Sequence, residues 1–335
     1  MRRGVYLILL LILAGLAPAR AASLPSGPLI MGYYESWAEL PVAAAQATRL
    51  ANLPRYLDIV ALGFVRPDAA YSGGSSLLGT GLQVPFDVPL LRQAVAALKQ
   101  RNPSARVILS VGGATYTPYW KDYDPVSIAR LVSALGLDGI DLDYEPETPL
   151  CRPGEVQGKG TMVCATDAIW ADLIRKTRAA LPRPALLTIP GWSVGAYGAG
   201  AFRDDPPSSP YTGSMLWLDR LPEAREVDLV SIMAYEAGSQ FDPLRAFASY
   251  RAVWPGPLLL GVRAPAGGPQ DPAASVATLD RWTKAIAADP LGGLMIYAST
   301  GEAPGGATLA VPDGALAGRA ICAALGRAGC PRVVP

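Results

Sequence analysis

Histidine is missing from all 335 residues. That removes the Ser-His-Asp and Cys-His forms of nucleophilic catalysis, and every metal site built on imidazole. Charge is scarce as well. Only 17% of residues are Asp, Glu, Lys or Arg, and they nearly cancel to a formal +1. No basic stripe or acidic tail stands out, so nucleic acid is not expected as a partner. There are four cysteines, none in CxxC spacing, which speaks against a thiolate metal site. The one long apolar run, Val5–Leu16, is too short to cross a bilayer comfortably. Neither a cofactor nor a metal is expected. Carboxylates are the acid–base groups left to an enzyme.

Half of the residues are apolar. A chain of this length can bury one large core but not two of ordinary size. Arg2 and Arg3 precede the apolar run, and Ala19-Arg20-Ala21 forms a small-x-small cleavage site. This reads as a signal peptide over residues 1–21, with 22–335 as a single exported domain and no stable membrane anchor after cleavage. The mature protein is expected outside the cytoplasm, periplasmic or extracellular, as a monomer. Export makes disulfides the expected state of the cysteines. Four cysteines allow three pairings, and the simplest is two local bridges, Cys151–Cys164 and Cys322–Cys330.

Short apolar runs alternate with longer amphipathic stretches. The strand-like runs are Leu29–Tyr34, Ile59–Val65, Arg106–Val111, Gly139–Tyr144, Ala185–Ile189, Leu229–Ala234, Pro257–Val262 and Gly293–Ala298. They show little strict alternation, as expected of a parallel sheet covered by helices. Asp87 opens one helix, and Asp-Pro pairs at 124–125, 242–243 and 271–272 are expected to open three more. Eight strands alternating with helices predict a closed (β/α)8 TIM barrel without a large insertion domain. The runner-up, an open doubly wound sheet, would favour a Gly-rich loop after the first strand. Glu35-Ser36-Trp37 stands there instead.

The most informative stretch is Asp138-Gly139-Ile140-Asp141-Leu142-Asp143-Tyr144-Glu145. Residues two apart share a strand face, so Asp141, Asp143 and Glu145 line up. In a barrel they would climb the interior, with Glu145 nearest the C-terminal rim, where barrel enzymes keep their active sites. Neighbours on that face are roughly 6.6 Å apart. At an effective dielectric near 20, each like-charged pair costs about 2.5 kcal/mol. At least one proton is therefore expected to stay on the set near neutrality. Three readings fit: a catalytic acid, a Ca²⁺ or Mg²⁺ site, and a solvated acidic edge. The apolar flanks Leu135, Leu137, Ile140 and Leu142 argue against the solvated edge.

The run Asp138–Glu145 resembles the DGxDxDxE signature of glycoside hydrolase family 18, the chitinase family. Ser110-Val111-Gly112-Gly113 resembles that family's SxGG motif, and Met233-Ala234-Tyr235-Glu236 its MxYD motif. Gly32-Tyr33-Tyr34 followed by Trp37 is also typical. These motifs fall on the first, third, fourth and sixth expected strands, in the family's order.

The resemblance implies that Glu145 is the general acid. It makes Asp143 the group that orients the substrate's 2-acetamido arm, and Asp141 an inner carboxylate sharing a proton with it. Tyr235 would bond the acetamido carbonyl oxygen, which attacks the anomeric carbon and leads through an oxazolinium ion to net retention. Asp138, Ser110, Gly112 and Gly113 are expected to be structural, with Ser110 placed to bond Asp141. Tyr33, Trp37, Tyr116, Trp120, Trp192, Met233, Glu236 and Tyr297 are the expected substrate contacts. Tyr119 and Tyr197 are further rim aromatics. Phe64 is read as core.

The chain departs from the family pattern twice. Glu236 stands where the motif usually has Asp, and Tyr297 ends the eighth strand where a tryptophan usually floors the central sugar subsite. The gap between the seventh and eighth strands holds about one helix, which implies a shallow, open groove and endo-type cutting. The implied partner is chitin or another N-acetylglucosamine-containing glycan. The implied activity is that of an endo-chitinase. The alternatives are an endo-β-N-acetylglucosaminidase acting on N-glycan cores and a catalytically silent, lectin-like sugar binder.

Overall fold

Ten strands, eight of them apolar runs bounded by polar turns, form in a computed structural model that describes residues 24–156, 159–268, 271 and 274–335. The expected signal segment 1–21 lies outside the described residues. In chain order the strands are β1 (Leu29–Glu35), β2 (Ile59–Val65), β3 (Arg106–Gly112), β4 (Gly139–Asp143), β5 (Cys151–Val156), β6 (Lys159–Cys164), β7 (Leu186–Trp192), β8 (Leu229–Met233), β9 (Leu258–Arg263) and β10 (Gly292–Tyr297). All but β5 and β6 close into a parallel barrel in the order β1-β10-β9-β8-β7-β4-β3-β2. These eight strands are the expected ones, differing only at their ends. The fold is a TIM barrel.

The helices are α1 (Val88–Arg101), α2 (Pro125–Leu135), α3 (Thr166–Ala180), α4 (Pro243–Arg251), α5 (Val276–Ile286) and α6 (Gly314–Ala324). Asp87, Asp124 and Asp242 cap α1, α2 and α4 by accepting from orphan first-turn N–H groups. Asp271 does not cap a helix. Its carboxylate instead accepts the N–H groups of Glu236 and Gly267, and Ser275 caps α5. Pro272 lies outside the described residues. The strand–helix alternation is also incomplete. The β1–β2 and β7–β8 crossovers contain only short 3₁₀ turns among the described residues.

β5 and β6 form a hairpin in the β4–α3 connection. Cys151 and Cys164 face each other across it and are bridged; Cys322 and Cys330 form the second bridge.

Two cores hold the barrel. The larger packs the outward strand faces against the helices, with Ile30, Leu62, Leu109, Leu142 and Ile232 fully enclosed. The smaller fills the barrel itself with Leu29, Met31, Ile59, Ile108, Leu186, Leu259 and Met295. Acidic side chains tie the barrel foot together. Asp58, Asp138 and Asp228 stand just before β2, β4 and β8 and accept the backbone N–H groups of Ile30, Val107 and Leu187, at 2.7, 2.7 and 2.8 Å. Each also pairs with a cation: Arg327, Lys99 and Arg178 respectively. Asp138 thus joins β4 to β3 far below the rim.

Candidate active site

Strand alternation places Asp141 and Asp143 inside the barrel, both buried, with Glu145 at the rim just past the end of β4. The register of the neighbouring strands sets what Asp141 meets. Ser110 of β3 and Thr188 of β7 are its lateral partners. Their hydroxyls donate to Oδ2 at 2.8 Å and to Oδ1 at 2.5 Å. The Tyr33 hydroxyl donates to Oδ2 from across the barrel, also at 2.8 Å. Burial raises the Asp141 pKa above the ordinary carboxylate value, and these three bonds offset part of the rise.

Asp143 has no such support. Its Oδ1 is buried without a hydrogen-bond partner. Burial raises its pKa well above the ordinary carboxylate value, and the charges of Glu145 and Asp141 add to the rise. The Asp141 charge beneath it is one of the causes of that rise. Glu145 is raised to about 7 by burial, against which the Ala114 N–H acts as a donor. Burial therefore outweighs mutual repulsion as the cause of the shifts. A carboxyl poised near neutrality at a cavity wall can give up or take a proton during a reaction.

The loop after β3 shapes this wall. Gly112 has φ +109°, and a Cβ there would lie 2.2 Å from the Asp143 carbonyl oxygen. Only glycine fits so close a backbone approach. The Gly113 N–H then donates to that carbonyl at 2.9 Å. Thr117 donates its hydroxyl to the Glu145 carbonyl at 2.7 Å, fixing the backbone that carries the acid.

Above the acids lies a cavity of about 310 Å³, at the small end for small-molecule sites. Tyr33, Trp37, Tyr116, Met233, Tyr235, Glu236 and Tyr297 line it together with Asp143 and Glu145. Tyr235 stacks on Tyr297 with ring centroids 5.8 Å apart.

The sequence model of glycosyl hydrolases family 18 matches residues 29–290. The chain belongs to that family. A stretch of 130 residues is 32% identical to a chitinase of Plasmodium falciparum, covering 35% of this chain and 32% of that protein. Only about a third of the length of this curated relative is therefore matched. Among solved structures, the chain is similar to a family 18 chitinase from Pseudoalteromonas aurantia, with 20% identity, a TM-score of 0.56, and coverage of 81% of this chain and 94% of that one. It is also similar to a fungal endo-β-N-acetylglucosaminidase of family 18, with 18% identity, a TM-score of 0.56, and coverage of 88% and 97%. At such identities these structures speak for the fold alone.

Two expected substrate contacts of the family 18 reading do not line the cavity. Trp120 is buried behind Gly112 and packs edge-on against Tyr144. Trp192 stacks on Tyr211 with centroids 3.9 Å apart, beyond the cavity. Of the further aromatics, Tyr197 is fully buried, and Tyr119 lies under the Arg66 guanidinium at 4.0 Å.

Five cavity residues were not among the expected site residues: Phe64, Gln83, Ala114, Thr115 and Arg263. Phe64, read as core, escapes simple alternation because the β2–β3 register shifts between Leu62 and Val65. Its ring stacks instead beside Trp37, centroids 6.1 Å apart. Arg263 ends β9 and pairs with Glu236, and its guanidinium lies 6.0 Å from the Tyr297 ring centre. Glu236 has φ +54°, unusual for a residue with a side chain, and its N–H is held by Asp271 at 2.6 Å.

Proposed function

We propose that this family 18 protein is an endo-acting chitinase that hydrolyses β-1,4-linked N-acetylglucosamine polymers with retention, the substrate's own acetamido oxygen serving as nucleophile. The observation that carries the reading is Glu145 at the cavity wall with its pKa raised to about 7, directly above the buried pair Asp143 and Asp141. A protonated Glu145 donates to the leaving glycosidic oxygen and afterwards takes a proton from water. Asp143 lines the cavity with an oxygen that no protein donor satisfies, so a turn of its carboxylate would offer it to the acetamido N–H, whose positive character grows as the carbonyl oxygen attacks. Tyr235 borders the same space and donates its hydroxyl to that carbonyl oxygen. Asp141, held by three hydroxyls, stays fixed beneath Asp143.

Two disulfides and the N-terminal apolar run support export. No helix among the described residues is long and apolar enough to cross a membrane.

The test is release of products from chito-oligosaccharides by the unaltered protein and by Glu145→Gln. Turnover by the first and its loss in the second are expected, with no effect of a chelator. Equal turnover by both proteins removes Glu145 from its role. A second reading, an endo-β-N-acetylglucosaminidase, is favoured by Tyr297 standing where the family pattern has a tryptophan. Cleavage of a high-mannose glycoprotein but not of chitin would select it.

A further inference from the structure

Glu145 has the cavity on one side only. The cavity walls come from the ends of β1, β2, β3, β4, β8, β9 and β10 and the loops that follow them. The end of β7, which lies between β4 and β8 in the barrel, contributes nothing to them. A different structure stands there. Trp192, the last residue of β7 and the lateral partner of Met233, stacks on Tyr211 at 3.9 Å with the rings 22° from parallel. Both residues remain partly exposed, although the Trp192 indole N–H is buried. The Tyr211 hydroxyl donates at 2.9 Å to the carbonyl of Glu147, two residues beyond the acid. Burial, followed by the charges of Glu145 and Glu147, raises the Tyr211 phenol above its ordinary value.

The disulfide-bridged hairpin holds this pair in place. The Cys164 sulfur approaches the Gly213 carbonyl at 3.6 Å, and Met162 occupies the place a side chain on Gly213 would need. Gly213 itself has φ +85°. The segment carrying Tyr211 is therefore seated against β6.

A glycosidic oxygen joins two sugars, and its proton donor sits between them. If the cavity takes the sugar whose anomeric carbon reacts, the leaving sugar lies across Glu145 from it. We propose that the Tyr211–Trp192 pair is the platform for that leaving sugar, with Tyr211 a specificity-determining residue whose ring packs on the C–H face of a pyranose. This deepens the chitinase reading and rests on it.

The test compares two substrates. A chito-hexaose has sugars on both sides of the cut. Chitobiose oxazoline already holds the reactive ring and has no leaving sugar, yet its hydrolysis still needs Glu145. In Tyr211→Leu, the ratio of kcat/KM for hexaose to that for oxazoline is expected to fall about tenfold, the worth of one aromatic contact. Tyr211→Phe keeps the ring and loses the bond to Glu147, so it should restore most of the ratio. An unchanged ratio in Tyr211→Leu overturns the proposal. So does equal loss on both substrates in Tyr211→Leu and Tyr211→Asn, or a failure of Tyr211→Phe to rescue, since each would mean that Tyr211 acts only by anchoring the loop. Turnover of neither substrate by the unaltered protein overturns the chitinase reading, and this one with it.

Discussion

Asp141 and Asp143 share one face of β4, yet the lower carboxylate accepts from three hydroxyls while the upper keeps a buried oxygen that accepts from none. Burial penalises both charges. The three donors offset part of that penalty at Asp141 and leave Asp143 as the group whose charge is unsupported. The strand thus separates a carboxylate held by three donors from one that still needs a partner.

Thr188→Val removes one of those donors with little change of shape. A hydrogen bond to a charged group contributes about 1.5–3 kcal/mol, so unfolding free energy should fall by about 2 kcal/mol. Urea denaturation should show a lower midpoint with an unaltered slope. No loss of stability would mean that Asp141 is protonated in the folded protein and draws little from its hydroxyls.

Activity should fail on the alkaline side first. Glu145 must carry a proton to act as an acid, and burial sets its pKa at about 7. kcat/KM should therefore decline with rising pH around a midpoint near 7. Glu145→Gln should lower the rate by at least about 100-fold at every pH. An alkaline limb that survives unchanged in the residual activity of Glu145→Gln would assign the titration to another group.

The same shift predicts that stability also falls as pH rises, over a lower window. The folded pKa of Glu145 lies above the ordinary value of 4.5. Between 4.5 and 7 the folded protein holds a proton that the unfolded chain has released, so stability falls as pH rises through that window. Above about 7 the loss is complete, on the order of 3 kcal/mol. Glu145→Gln escapes it. Thermal unfolding should find the variant close to the unaltered protein at pH 4.5 and clearly more stable at pH 8. A gap that does not change with pH would place the carboxyl in water.

The barrel was legible because each strand is a compact apolar run, and because Asp before Pro announces α2 and α4. The same pair at Asp271 misled. Its carboxylate serves the loop around Glu236 and Gly267, a tertiary use that local sequence does not signal. The β5–β6 hairpin was invisible, since Cys151–Val156 carries Pro153 and Gly154 and has no apolar alternation; the disulfide and the cross-strand register define it. The acid column was fully written in DxDxE. The aromatic rim was not. Period-two reasoning works within a regular strand, and Phe64 sits at a register shift. Trp120 and Trp192 lie beyond strand ends or at them, where loop geometry decides the facing of a ring.

Gly112 and Gly113 are adjacent and both have positive φ, +109° and +81°, yet they should answer substitution differently. A methyl on Gly112 would lie 2.2 Å from the Asp143 carbonyl oxygen and 2.5 Å from the Trp120 ring. The first is backbone locked in the β3–β4 pairing, so it cannot yield without breaking the register that aligns Gly112 with Asp143. Gly112→Ala should cost more than about 3 kcal/mol, enough to threaten folding. A methyl on Gly113 would find its nearest atoms at 3.6 Å on Phe64 and 3.7 Å on Asp143 Oδ2, which is ordinary contact. Only the backbone penalty remains, about 1–3 kcal/mol. That methyl would, however, project into the cavity beside the Asp143 carboxylate, the group proposed to meet the acetamido N–H. Gly113→Ala should therefore fold and bind chito-oligosaccharides more weakly, with calorimetry showing the melting temperature only modestly lowered and KM raised. Equal destabilisation by the two substitutions would mean that the close approach of β4 to Gly112 is not what demands glycine there.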